Sequence, residues 1–114
     1  MTRSTFLALP LAFAAAAVSA HSKSETTVPA HGATVDQVSE LTLRFDDPMR
    51  IVTAILTADG AEVGIERETG MEPVTEWRAV PAEALAPGAY RLDWRGMAAD
   101  GHPMQGGFAF TVAE

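Results

Sequence analysis

Apolar residues at every second position, in several short runs, constrain this chain more than any other feature. Leu41, Leu43 and Phe45 alternate with Thr42 and Arg44; Tyr90, Leu92 and Trp94 repeat the pattern, as do Phe108, Phe110 and Val112. Successive side chains of an extended strand point to opposite faces, so each run offers one face to a core and the other to water. Runs of this kind, punctuated by Gly, Pro and Asp, predict strands over 40–45, 51–57, 62–66, 76–80, 89–95 and 107–112, with a further one near 24–28. Asp59-Gly60 predicts a tight hairpin. About seven short strands in one small domain predict an all-β fold, an antiparallel Greek-key barrel or sandwich of immunoglobulin-like type. Helix is expected only as a turn over 81–85.

The first twenty residues are of a different kind. One charge, Arg3, precedes an apolar run from Phe6 to Val18 and the ending Val18-Ser19-Ala20. That is the make-up of a secretory signal peptide. The run carries Pro10, is rich in alanine and falls short of the roughly 20 apolar residues a membrane-spanning helix needs. Cleavage after Ala20 is therefore expected, although Ala15 and Ala17 form a competing site. The chain then divides into a leader, 1–20, and a single exported domain, 21–114, which begins with His21 and lies in the periplasm.

The formal net charge is −7 and the leader contains none of the acidic residues, so the exported part is more acidic still. Nucleic acid and anionic membrane are poor partners for such a surface. Cations are favoured, but an acidic surface also serves solubility, and charge alone does not imply a metal. There is no cysteine, which removes disulfides, thiolate metal sites, thiol catalysis and attachment of lipid through an N-terminal cysteine.

Only three histidines are present, His21, His31 and His102. A free N-terminal histidine presents its α-amine and ring Nδ1 to one ion and closes a chelate ring that no internal histidine can form. That suits a tetragonal nitrogen and oxygen site, the geometry Cu(II) prefers. The other cluster is Asp100-Gly101-His102-Pro103, between two predicted strands. Pro103 holds His102 extended. If the whole segment is extended, Asp100 and His102 project to one side. Asp100-Gly101 also reads as a plain hairpin turn, with His102 a surface residue that follows it; the joint occurrence with His21 favours a site.

These residues resemble the CopC copper-resistance family of periplasmic copper binders. The resemblance spans nearly the whole exported part and is strongest at Trp94-Arg95, Asp100-Gly101-His102-Pro103, Gly106, Phe108 and Phe110; His21 and Pro29-Ala30-His31-Gly32 add to it near the start. It implies a seven-stranded Greek-key barrel holding one Cu(II) ion through His21, Asp100 and His102. It also implies an acidic residue beside the copper, here Asp47, whose side chain is short for direct contact. Ser24 and Ala98 depart from the family's usual leucine and serine. Some members carry a methionine-rich loop for Cu(I); Met49, Met71, Met97 and Met104 form no such cluster, read as packing or surface residues, and predict no Cu(I) site. His31, in the variable position of its loop, reads as exposed, and Trp77 and Trp94 as core or rim aromatics.

The expected activity is binding without turnover: a monomer, with no small-molecule substrate, that holds Cu(II) for resistance, buffering or delivery to an inner-membrane copper transporter. Two alternatives stay open. One is a copper oxidative enzyme built on an N-terminal histidine brace, against which stand the chain's size and a single tyrosine, Tyr90, within a strand. The other is a metal-free immunoglobulin-like interaction module.

Overall fold

The structure, a computed structural model, describes residues 25–114, so His21 and the leader lie outside the described residues. Eight strand segments follow one another: β1 (Thr26–Val28), β2 (Ala33–Val35), β3 (Leu41–Ala58), β4 (Ala61–Val63), β5 (Ile65–Arg67), β6 (Val74–Pro81), β7 (Gly88–Ala98) and β8 (Pro103–Val112). They form one curled sheet in the order β2-β8-β7-β3-β6-β5, with β1 and β4 also paired to β3. The fold is the expected all-β Greek-key barrel. Among the described residues no helix is long and apolar enough to cross a membrane.

The long strand β3 makes the barrel. Its first part, residues 41–44, lies between β1 and β6, whereas residues 49–57 pair with β7 and 56–58 with β4. The hand-over falls at Asp46-Asp47-Pro48, where the register with β6 shifts. Such a bulge bends and twists a strand, letting one strand serve both layers. The two strands expected over 40–45 and 51–57 are therefore one. The converse occurs at Gly64, where the strand expected over 62–66 divides into β4, paired with β3, and β5, paired with β6. Asp59 and Gly60 have φ of 52° and 80°, the left-handed pair of a type I′ turn joining β3 to β4.

Two further expectations are corrected. β2 runs parallel to β8, an element that three residues are too few to announce by periodicity. No helical turn forms over 81–85, because the amide of Ala82 donates to the carbonyl of Gly64 at 3.0 Å and prolongs the pairing with β5.

Every residue assigned to a core face by alternation is buried: Leu41, Leu43 and Phe45 on β3, Tyr90, Leu92 and Trp94 on β7, Phe108, Phe110 and Val112 on β8. Met49, Ile51, Leu56, Trp77 and Ala79 complete the core. Thr42, expected on the outer face, is buried as well, because β1 and β6 flank it on both sides.

Arg67, at the end of β5, holds the second irregularity of β3, between Ile51 and Thr53. Its Nη2 donates to the carbonyls of Ile51 (2.7 Å) and Gly70 (2.9 Å), Nη1 to Val52 (3.2 Å) and Nε to Thr69 (3.2 Å). The guanidinium also lies 5.5 Å from the centroid of the Trp77 ring. Carbonyls that a bulge removes from the ladder need donors, and a planar fork of five N–H groups supplies several at once.

Candidate metal site on the hairpin joining β7 and β8

Strands β7 and β8 are paired from Gly88↔Val112 to Met97↔Pro103, and the chain between them reverses within four residues. The amide of Gly101 donates to the carbonyl of Ala98 at 2.9 Å, and that of Ala98 to the carbonyl of His102 at 2.9 Å. Gly101 has φ of +90°, a conformation that side chains disfavour, so glycine is required there. The segment is thus a turn and not the extended stretch that would have set Asp100 and His102 on one side.

The two residues meet all the same, for a different reason. The carboxylate of Asp100 folds over the turn, Oδ1 accepting the backbone amide of His102 at 3.0 Å and Oδ2 lying 2.8 Å from His102 Nδ1. A short polar side chain bonding to the amide two residues on is an ordinary turn device. Here it also aligns the ring. The amide bond first, and the imidazole bond second, hold the Asp100 carboxyl below the usual carboxylate range, so it is ionised at neutral pH. An ionised carboxylate only accepts, so Nδ1 carries the hydrogen, which leaves Nε2 as the nitrogen through which the neutral ring can bind a metal. That is the arrangement by which a carboxylate orients a metal-binding imidazole. Both side chains are open to solvent, Asp100 at 64% and His102 at 75%.

Beside the pair lies a cleft of about 260 Å³ lined by Phe45, Asp47, Met49, Ala98, Asp100 and Met104, among others. The bulge of β3 brings Asp47 to it, so two carboxylates line the same cleft. Among the described residues no group of three or more His, Asp or Glu stands ready to hold a metal. Asp100 and His102 are a pair, and His21, the third expected ligand, lies outside the described residues.

The other candidates are placed as expected. His31 is exposed, and its Nδ1 accepts the amide of Ala109 at 3.1 Å. The ring hydrogen therefore sits on Nε2, and a metal could use that nitrogen only by displacing it. Trp77 and Trp94 are core residues at 0% and 3% exposure, Met49 is buried, and Met71 and Met97 are exposed singly. Tyr90 is buried, with its hydroxyl donating to the carbonyl of Ala86 at 2.6 Å.

Two features escaped the sequence. The lining of the cleft by Met49 and Met104 arises from strands more than fifty positions apart, which no local pattern announces. Glu25 is the other: its Oε2 accepts the indole N–H of Trp94 at 3.2 Å, and nothing about a single acidic residue before a short strand signals that.

Comparison with known proteins gives consistent matches. A family model described as the CopC domain matches residues 24–113. Copper resistance protein C of Xanthomonas campestris pv. juglandis is 27% identical over 95% of this chain and 92% of its own length. Copper resistance protein C of Escherichia coli is 29% identical over 93% of this chain and 90% of its own. Among solved structures, that of PcoC, a methionine-rich copper resistance protein from Escherichia coli, superposes with a TM-score of 0.64 at 29% identity, covering 76% of this chain and 93% of that one.

Proposed function

Because the chain belongs to the CopC domain family, we propose that it is a periplasmic copper-resistance protein that binds one Cu(II) ion through the amine and ring of His21, a carboxylate oxygen of Asp100 and Nε2 of His102. The observation that carries this reading is the Asp100–His102 pair, which is exposed, with its carboxylate ionised and bonded to His102 Nδ1, and directed by its own turn. Both carboxylate oxygens already accept one hydrogen, and each keeps a second lone pair for a metal. Nitrogen and oxygen donors in a tetragonal set suit Cu(II). Asp47, which lines the same cleft, adds negative charge near the ion without being needed as a ligand. Water is the simplest occupant of the remaining position.

Residues 1–20 then serve as an export leader and 21–114 as the mature, monomeric domain. Its role is to hold copper in the periplasm and pass it to a membrane transporter, and the relatives, named for copper resistance rather than for a reaction, support binding without turnover. Tyr90, the one tyrosine of the chain, is a buried residue bonded to Ala86, which leaves it no part in a copper enzyme site.

Mass spectrometry of the exported protein, followed by Cu(II) titration, tests the reading. A mature chain beginning at His21 should bind one equivalent, and both His102→Ala and an extra glycine placed before His21 should weaken binding by at least tenfold. Affinity unchanged by the added residue would show that the amine is no ligand and would remove the proposal.

A further inference from the structure

The outer face of the sheet at β3, β7 and β8 carries a charge unlike the rest of the molecule. Along β7 the outward side chains are Arg91, Asp93, Arg95 and Met97. On β3, Ile55 and Arg50 lie opposite Asp93 and Met97. Six arginines fall among the described residues. Arg44 and Arg78 are paired with Glu76, and Arg67 is spent on backbone carbonyls. The other three, Arg50, Arg91 and Arg95, all stand on this face, where Asp93 is the one carboxylate on the outward rows of the paired strands. A chain of formal net charge −7 thus has one surface on which guanidinium outnumbers carboxylate.

Apolar side chains are interleaved with these charges. The irregularity of β3 opposite Arg95 leaves two successive side chains, Val52 and Thr53, both exposed. Val52, Ile55 and Met97 are three of the five large apolar residues exposed among the described residues, so most of the uncovered apolar surface lies here. Arg91 Nε donates to Asp93 Oδ1 at 3.0 Å, and the pair lies over Gly107, where a Cβ would come within 2.7 Å of that oxygen and 2.8 Å of Arg91 Nη2. Beside it runs a shallow groove of about 400 Å³ lined by Ile55, Arg95 and Gln105, among others. Arg50 donates to the carbonyl of Met71 at 2.7 Å. Arg95 has no hydrogen bond or ion pair to any described residue, so its exposed charge is unspent within the fold.

Arginine and methionine among exposed apolar groups are the make-up of a protein interface. A membrane surface fits less well, because every aromatic among the described residues is buried and the net charge repels anionic lipid. An acidic protein meets like charge elsewhere on this molecule and opposite charge here, which orients its approach. We propose that this face docks an acidic partner protein, whose carboxylates meet Arg50, Arg91 and Arg95 and whose apolar side chains cover Val52, Ile55 and Met97. The docking stands on charge and exposure alone. Met97 and Pro103 form the last pair before the turn that carries Asp100 and His102. That the partner exchanges copper at this adjoining turn rests on the copper reading given above.

A blocked peptide of alternating glutamate and leucine, titrated into the exported protein and followed by amide chemical shifts, tests the surface. The shifts should change over 50–57, 91–97 and 103–109. Arg95→Gln should weaken binding about fivefold, the equivalent of one exposed ion pair. Arg78→Gln makes the same change in net charge on another face and should weaken it less than twofold. A peptide with glutamine in place of glutamate should bind at least tenfold more weakly, and the Cu(II) affinity of Arg95→Gln should stay within twofold of the parent. Shifts centred elsewhere, an Arg78 effect equal to the Arg95 effect, or a glutamine peptide that binds as well would each overturn the proposal. So would vesicles of phosphatidylethanolamine and phosphatidylglycerol that bind the parent better than Arg95→Gln, which assigns the face to a membrane. A tenfold loss of Cu(II) affinity in Arg95→Gln assigns the arginine to the metal site instead and also overturns it. If a glycine added before His21 leaves copper affinity unchanged, the copper reading fails, while the peptide titration still decides the docking face.

Discussion

Replacing Arg67 by methionine keeps an apolar stem of similar length and removes every bond of the guanidinium. Two of its four bonds, to Ile51 and Gly70, share Nη2, and those to Val52 and Gly70 are exposed, so water replaces the exposed pair at little cost. The bonds to Ile51 and Thr69 are partly buried. A charged donor contributes about 1–1.5 kcal/mol net to each, and stacking on Trp77 adds roughly 0.5–1 kcal/mol. The expected loss is therefore about 2.5–4 kcal/mol, a large part of the stability of a small domain. Equilibrium urea unfolding reads this as a fall in the midpoint with the slope unchanged. Arg67→Lys should recover less than half of the loss, because one ammonium cannot reach carbonyls on both β3 and the 69–70 loop. A loss below about 1 kcal/mol for Arg67→Met, or a lysine variant as stable as the parent, would refute the idea that this fork secures the bulge of β3.

Three other outcomes are expected. Gly106→Ala forces a methyl against the Trp94 indole, which is walled by Phe45, and should cost about 1–3 kcal/mol and shift the Trp94 emission; an unchanged melting temperature and spectrum would mean the indole has room to move. The raised pKa of Glu25 means that its folded form binds the proton more tightly than the unfolded chain does. Its penalty is absent below the unfolded pKa, grows as pH rises through the folded pKa and is complete above it. Glu25→Gln should thus melt higher than the parent near pH 7 and no differently near pH 3, and a difference that persists at pH 3 would contradict this origin. Copper affinity should fall as pH drops from 8 to 5, by roughly three- to five-hundredfold from the α-amine alone given its ordinary pKa of about 7.7–8.0, while Asp100, already ionised, adds nothing in that window. A flat profile by competitive titration would exclude the amine.

The core was legible because one physical rule produced it. Leu41, Leu43 and Phe45, like Tyr90, Leu92 and Trp94, face inward at every second position, and each pairing in the sheet preserves that alternation. The continuity of β3 was not legible, since Asp46, Asp47 and Pro48 interrupt the pattern where the strand bends, and a proline ordinarily argues against a strand interior. The division at Gly64 depends on which strands lie alongside, and that is a property of the assembled sheet. Asp100 and His102 could be singled out because they are neighbours in the chain, though the turn that joins them is not the extended geometry from which they were inferred. Glu25 and the methionines of the cleft answer to contacts across the barrel and left no local mark.

The β7–β8 hairpin carries Asp100 and His102 at its tip, beyond a run of cross-strand pairs that ends at Met97 and Pro103. Donors mounted on such a stiff post, outside the hydrophobic interior, face an approaching molecule directly. On the proposed copper reading, an incoming ligand would displace such donors one at a time and leave the barrel shut.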